Sequence, residues 1–253
     1  MDEKSEEKKY LSKILKDRNY RSAYEKLHKI KLSKKGKIHP PKSRNFYKKI
    51  EKVLRSCSSG LKLLVVGCGE GYLSIYLAKI GFDVTGVDIS RIAIDRGRRI
   101  KEEAESGTGN ISFLIKDGIN LNFESNTFDC VFSNQFIEHL CISDLRKHFQ
   151  SVFEILKPKG IYFFITPHNF LEKPEGMHIH TYTNEDLEKL LHSTGFRNLR
   201  SCFGSKELVR KLGKPILLPI SFRKAFEKFC RRFDPLKYYL SSIQIIAEKP
   251  NGK

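Results

Sequence analysis

The chain has 253 residues, 40% of them hydrophobic, and a formal net charge of +18. That length and apolar content suffice for one large domain with a single sizeable core, and they exclude collagen, a coiled coil and wholesale disorder. No apolar run approaches the ~20 residues of a membrane-spanning helix, and the charged opening MDEKSEEKKY, with no apolar stretch behind it, excludes an ordinary secretory signal.

Residues 1–60 carry a net charge of +12, residues 61–204 of −2 and residues 205–253 of +8. A near-neutral centre between two basic flanks points to an anionic partner, whether phosphate, nucleic acid or a membrane surface; a merely solvated basic face gives the same pattern. The six cysteines (Cys57, Cys68, Cys130, Cys141, Cys202, Cys230) include no C-x-x-C pair. They read as reduced thiols of a cytoplasmic protein, with no metal site among them.

The first forty residues read as helical, with Tyr24, Leu27 and Ile30 at helical spacing, until Ser33–Gly36 and Pro40-Pro41 break the pattern. A second amphipathic helix gathers Phe46, Tyr47, Ile50, Val53 and Leu54 on one face. Residues 1–60 are thus expected to form a basic helical cap. From Leu61 short apolar runs alternate with helical segments. Strands are expected at 61–67, 82–88, 111–115, 127–134, 160–166, 198–204 and 240–248. The helices between them are expected at about 72–80, 91–105, 144–157 and 184–193. Thr183 and Asp186 stand in capping-box spacing before the last helix. Such alternation builds a mainly parallel sheet with helices on both faces.

The segment Leu63-Leu-Val-Val-Gly67-Cys68-Gly69-Glu-Gly71-Tyr72 reads as a buried strand entering a glycine-rich turn and then a helix. Such glycines let a ligand approach the backbone, and the helix start offers free N–H groups. The spacing is G-x-G-x-G, with Tyr72 where a dinucleotide fingerprint wants its third glycine. The second strand ends at Asp88, where a carboxylate can accept both ribose hydroxyls of an adenosine. The third ends at Asp117-Gly118, placed to hold an adenine amino group, and the fourth at Asn134-Gln135. Ligands of open α/β sheets bind beyond these carboxyl ends, so four polar ends in register outweigh the reading of each as a loop residue or cap.

From Leu61 to Gly204 these motifs, in this order, resemble the class I S-adenosylmethionine-dependent methyltransferases, in particular their small-molecule branch. The resemblance implies a Rossmann-like three-layer α/β sandwich. Its seven-stranded sheet would have the order 3-2-1-4-5-7-6, with the last strand antiparallel. It implies S-adenosylmethionine as cofactor. Gly67, Cys68, Gly69 and Gly71 would surround its methionine part, Asp88 its ribose, and Ile89, Asp117 and Gly118 its adenine. Asn134 and Gln135 would lie near the sulfonium. Segment 205–238 then reads as an insertion before the last strand. It carries Phe222, Ala225, Phe226, Phe229, Cys230 and Phe233 on one helical stripe and five basic residues on the other. A membrane-interface helix and a lid packed on the core both fit that pattern.

Methyl transfer needs alignment, and at a hydroxyl also a base; His139 and His178 are the candidates, each equally readable as a structural histidine. The Asn/Asp-Pro-Pro-aromatic tetrad of nucleic-acid amino-methylating enzymes is replaced by Ser133-Asn134-Gln135-Phe136, and no acidic cluster suggests a divalent metal. The sequence therefore reads as an O-methyltransferase of a small-molecule, lipid-linked or glycan acceptor, with peripheral contact to an anionic membrane. An RNA methyltransferase gripping phosphates with its flanks stands second, and a non-catalytic binding protein third.

Overall fold

A computed structural model describes residues 19–34, 44–57, 62–104, 109–167, 179–203, 216–230 and 242–251. Two helices, α1 (Tyr20–Lys34) and α2 (Arg44–Cys57), precede the sheet. Then follow β1 (Lys62–Val66), α3 (Tyr72–Lys79), β2 (Asp83–Asp88), α4 (Arg91–Glu103), β3 (Ile111–Ile115) and β4 (Phe128–Asn134). After a single 3-10 turn (Ile137–His139) come α5 (Ile142–Ile155), β5 (Leu156–Pro167), α6 (Asn184–Thr194) and β6 (Arg197–Phe203). The last elements are β7 (Ile216–Pro219), α7 (Ile220–Cys230) and β8 (Ser242–Glu248).

The sheet order is β3-β2-β1-β4-β5-β8-β6-β7. The first five strands are parallel; β8 runs antiparallel to β5 and to β6. This is the expected three-layer order with one strand added. Residues Ile216–Pro219 pair antiparallel with β6 and make an eighth, edge strand. An apolar Ile-Leu-Leu run bounded by Pro215 and Pro219 suits an edge, where a missing N–H costs no ladder bond.

The strands are near-continuous apolar runs because both faces are covered. In β1, Leu64 and Val66 join one core while Leu63 and Val65 join the other. In β5, Tyr162 and Phe164 likewise oppose Ile161, Phe163 and Ile165. The first core takes residues of α1, α5 and α6, the second those of α2 and α3. Strand β5 starts four residues before the expected boundary, because Leu156 pairs with Phe128 before a bulge lets Ile161 pair with Cys130. The capping box of α6 forms: the Asp186 N–H donates to Thr183 Oγ1 at 3.1 Å, and the Thr183 N–H to Asp186 Oδ2 at 3.0 Å.

The amphipathic helix of the insertion is α7. Phe222 is 49% exposed, while Arg223 is buried and donates to the Ser242 carbonyl at 3.2 Å. Lys224 pairs with Glu188 of α6 at 2.6 Å. The basic side of the helix is the packed one at these positions, and Phe222 is turned to the surface. Phe233 lies outside the described residues, as do the side chains of residues 226–230.

Candidate functional site

At the carboxyl ends of β1–β4 a cavity of about 180 Å³ opens. Each strand delivers its terminal residues there because the parallel sheet places these ends side by side. Gly67 and Gly69 follow β1 with positive φ (64° and 55°). A Cβ at Gly69 would meet nothing within 4 Å. Asp88 ends β2, and its carboxylate organises the turn opposite: Oδ2 accepts from the Gly69 N–H at 2.8 Å and Oδ1 from the Ser90 N–H at 2.9 Å. Burial pushes the Asp88 pKa up, against the pull of those two N–H donors. Beyond β3, Asp117 Oδ1 accepts from the Ile119 N–H at 2.8 Å, which folds Asp117-Gly118 into a tight bend on the cavity wall.

Strand β4 ends in a strained turn. Gln135 adopts φ 55° while its N–H donates to Ile165 O at 2.9 Å. Left-handed backbone in a non-glycine residue is uncommon and gathers at functional sites. The turn lays the Phe136 ring between Gly67 and Gly118. A Cβ at Gly118 would stand 2.5 Å from Phe136 Cζ. His139 follows, buried, edge-on to the Tyr24 ring at 5.7 Å. Neighbouring Glu138 accepts from the Thr166 hydroxyl at 3.0 Å, and its main-chain oxygen accepts from the N–H groups of Ile179 and His180. The described end of the Gly176–Thr183 segment is thereby fastened beside β4.

Of the residues expected from the sequence, Gly67, Gly69, Asp88, Ile89, Asp117, Gly118, Gln135 and His139 line this cavity together. Cys68, Gly71 and Asn134 do not line it. The Cys68 thiol turns toward Gly86 of β2, and Gly71 faces the Phe113 ring. His178 lies outside the described residues. The wall the sequence reading missed is α1, which contributes Tyr20, Tyr24, Leu27 and His28. The helical spacing of Tyr24 and Leu27 was visible in the sequence; that their stripe closes a cavity was not.

A buried relay stiffens the Gly118 wall. His148 Nδ1 lies 2.6 Å from the Gly118 oxygen and Nε2 2.9 Å from the Tyr162 hydroxyl, itself 2.7 Å from Ser133 Oγ. A carbonyl only accepts, so Nδ1 carries the proton. Nε2 then accepts from Tyr162, whose oxygen accepts from Ser133. Burial holds His148 neutral by lowering its pKa to about 4. An unfolded histidine binds its proton near pH 6.5, so the unfolded chain takes up protons first as pH falls. Stability is therefore present above pH 6.5 and lost toward pH 4, by roughly 3 kcal/mol from this site. Urea denaturation between pH 7.5 and 4.5 should show a shallower decline in His148→Phe than in wild type; parallel declines would remove the assignment.

Among the described residues, no group of three or more His, Cys, Asp or Glu is placed to hold a metal ion, and no helix is long and apolar enough to cross a membrane. Residues 63–160 match the family model described as "Methyltransferase domain". A ubiquinone biosynthesis O-methyltransferase of Coxiella burnetii is 36% identical over 107 residues, 42% of this chain and 44% of that protein. The mitochondrial ubiquinone biosynthesis O-methyltransferase of Bos taurus is 32% identical over 115 residues, 43% of this chain and 29% of that protein. The chain thus spans less than half the length of these relatives. Among solved structures, phosphoethanolamine N-methyltransferase 2 of Haemonchus contortus, with phosphomonomethylethanolamine and S-adenosylhomocysteine, superposes with a TM-score of 0.60 at 21% identity, covering 83% of this chain and 53% of that one. Magnesium protoporphyrin IX methyltransferase of Synechocystis, with bound S-adenosylmethionine, gives 0.53 at 18% identity, covering 81% and 80%.

Proposed function

We propose, for a chain whose residues 63–160 match a methyltransferase-domain model, S-adenosylmethionine-dependent O-methylation of a small-molecule or lipid-linked acceptor. The observation that carries the reading is Asp88. It is a buried carboxylate that holds the glycine turn by one oxygen and the start of α4 by the other, while still facing the cavity. The residues fit an adenosyl ligand. Gly69 leaves open space where any side chain would intrude. Asp88 stands where ribose hydroxyls would donate to it, and Asp117 and Gly118 stand at the next strand end for the adenine edge. When bound, S-adenosylmethionine supplies an electrophilic methyl group on a sulfonium. The chain's own contribution is to orient that ligand and to exclude water, since alignment alone can lower such a barrier by ~7–11 kcal/mol. Gln135 and His139 border the end of β4 where the acceptor would meet it. His139 is assigned as the residue receiving an acceptor hydroxyl proton, and His178 belongs to the same proposal on the sequence reading alone.

The O-methyltransferase names of the relatives favour a hydroxyl acceptor, and those names give no support to RNA. A screen with methyl-labelled S-adenosylmethionine against lipid, glycan and RNA extracts tests this. Label should enter lipid or other small-molecule fractions, whereas label confined to RNA would reverse the reading.

Peripheral contact with an anionic membrane belongs to the same proposal, and the outward Phe222 favours it. Residues 205–253 carry +8, and each basic residue near an anionic bilayer contributes ~1 kcal/mol. Full-length protein should sediment with phosphatidylserine vesicles but not phosphatidylcholine vesicles, and salt should weaken the effect. Because Phe222 is exposed, Phe222→Ser should lower sedimentation without moving the melting temperature. Equal sedimentation of variant and wild type would remove α7 from the contact.

A further inference from the structure

We infer that helix α1 is the closing wall of the cofactor site, with Tyr24 touching the bound cofactor and Glu25 clasping the wall shut. The inference rests on the cofactor reading above and adds to it residues from outside residues 63–160.

Positions 20, 24, 27 and 28 of α1 recur at one-turn spacing and form the cavity wall facing the strand ends. The helix bridges two points across the cavity mouth. Near its start the Tyr20 hydroxyl donates to Asp144 of α5 at 2.9 Å. In its second turn the Glu25 carboxylate sits on the start of α4, accepting from the N–H of Arg91 at 2.6 Å, the N–H of Ile92 at 3.4 Å and the Ser90 hydroxyl at 3.3 Å. A carboxylate there satisfies amide donors that the helix itself leaves open and meets the positive end of its dipole. Ala23, fully buried between them, lets α1 approach closely. The clasp also lies two residues from Asp88, so it closes the cavity at its ribose end.

Tyr24 supplies the group that faces the ligand. Its hydroxyl has no hydrogen-bond partner among the described residues, although Asp88 and Glu138 both bear on it. Burial and those carboxylates push its pKa up, so it remains a phenol able to donate. A partly buried donor on the cavity wall, between the ribose end at Asp88 and the turn at Glu138-His139, is completed by an acceptor on the ligand. With the clasp made, α1 covers the cavity; a ligand then enters or leaves when Glu25 releases α4.

Surface plasmon resonance of S-adenosylhomocysteine on the immobilised full chain separates the two roles. A gate residue slows arrival and departure alike, so Glu25→Ala should raise both the association and the dissociation rates, each at least fivefold. A contact residue acts on departure alone, so Tyr24→Phe should raise dissociation about tenfold and leave association unchanged. Lys29→Ala, on the exposed side of α1, should match wild type. Glu25→Gln keeps an acceptor but loses the charge, and should give intermediate rates even if Glu25→Ala folds poorly. Wild-type rates in folded Glu25→Gln and Tyr24→Phe would overturn the inference and leave the cofactor site standing. Wild-type protein that binds no S-adenosylhomocysteine would overturn the cofactor reading itself.

Discussion

Replacing Asp88 by alanine is expected to weaken binding of S-adenosylmethionine at least tenfold, and more where both ribose hydroxyls are held. A hydrogen bond to a charged group is worth ~1.5–3 kcal/mol, and ~1.4 kcal/mol is a factor of ten. The same substitution frees the N–H groups of Gly69 and Ser90, which Asp88 holds at 2.8 and 2.9 Å. Part of the loss therefore comes from a looser turn. Asp88→Asn separates the parts: it keeps the shape and one acceptor but loses the charge, and should fall between alanine and wild type. Equilibrium dialysis with labelled cofactor reads both variants. Undiminished affinity in folded Asp88→Ala would place the ligand elsewhere.

The two glycines of one motif should fail in different ways. Gly71 has φ 77°, and a Cβ there would lie 2.3 Å from Phe113 Cζ. The Phe113 ring also presses on Gly86, whose Cβ would lie 2.9 Å from it, and on Gly97 at 3.5 Å. These three glycines form the socket of one buried ring. Gly71→Ala adds left-handed strain of ~1–2 kcal/mol to overpacking of ~1–3 kcal/mol, so a loss of roughly 2–5 kcal/mol is expected. Gly69 has nothing within 4 Å, so Gly69→Ala should lose only the ~1–2 kcal/mol of left-handed strain while cutting cofactor affinity severalfold. Urea midpoints and cofactor affinities of the two variants check this; the reverse pattern would exchange their roles.

That contrast marks what a sequence of this kind makes legible. The strand ends were readable because burial on both faces leaves continuous apolar runs, and the polar residue that breaks each run stands where the strand leaves the core. Asp88, Asp117 and Gln135 all obey that logic. Gly71 did not, because a glycine required by a ring 42 residues away looks the same as one required by a ligand. The strand β7 was hidden by its brevity and its flanking prolines. The α1 wall was hidden by distance along the chain: Glu25 and the N–H of Arg91 are 66 residues apart, and no local pattern couples them. The direction of α7 was likewise open, since an apolar stripe does not say which side meets the core. The burial of Arg223 and the Lys224–Glu188 pair decide it at Phe222.

Whether this chain holds S-adenosylmethionine in the cavity beside Asp88 is the most direct question. Isothermal titration calorimetry with S-adenosylmethionine and, separately, with NAD⁺ puts the glycine turn to the test, because a nucleotide site of the dinucleotide kind would take the second. One-to-one binding of S-adenosylmethionine, abolished or weakened at least tenfold in Asp88→Ala, with no heat from NAD⁺, is the predicted result. Binding of NAD⁺ in its place, or no binding of S-adenosylmethionine by folded wild-type protein, would contradict the account.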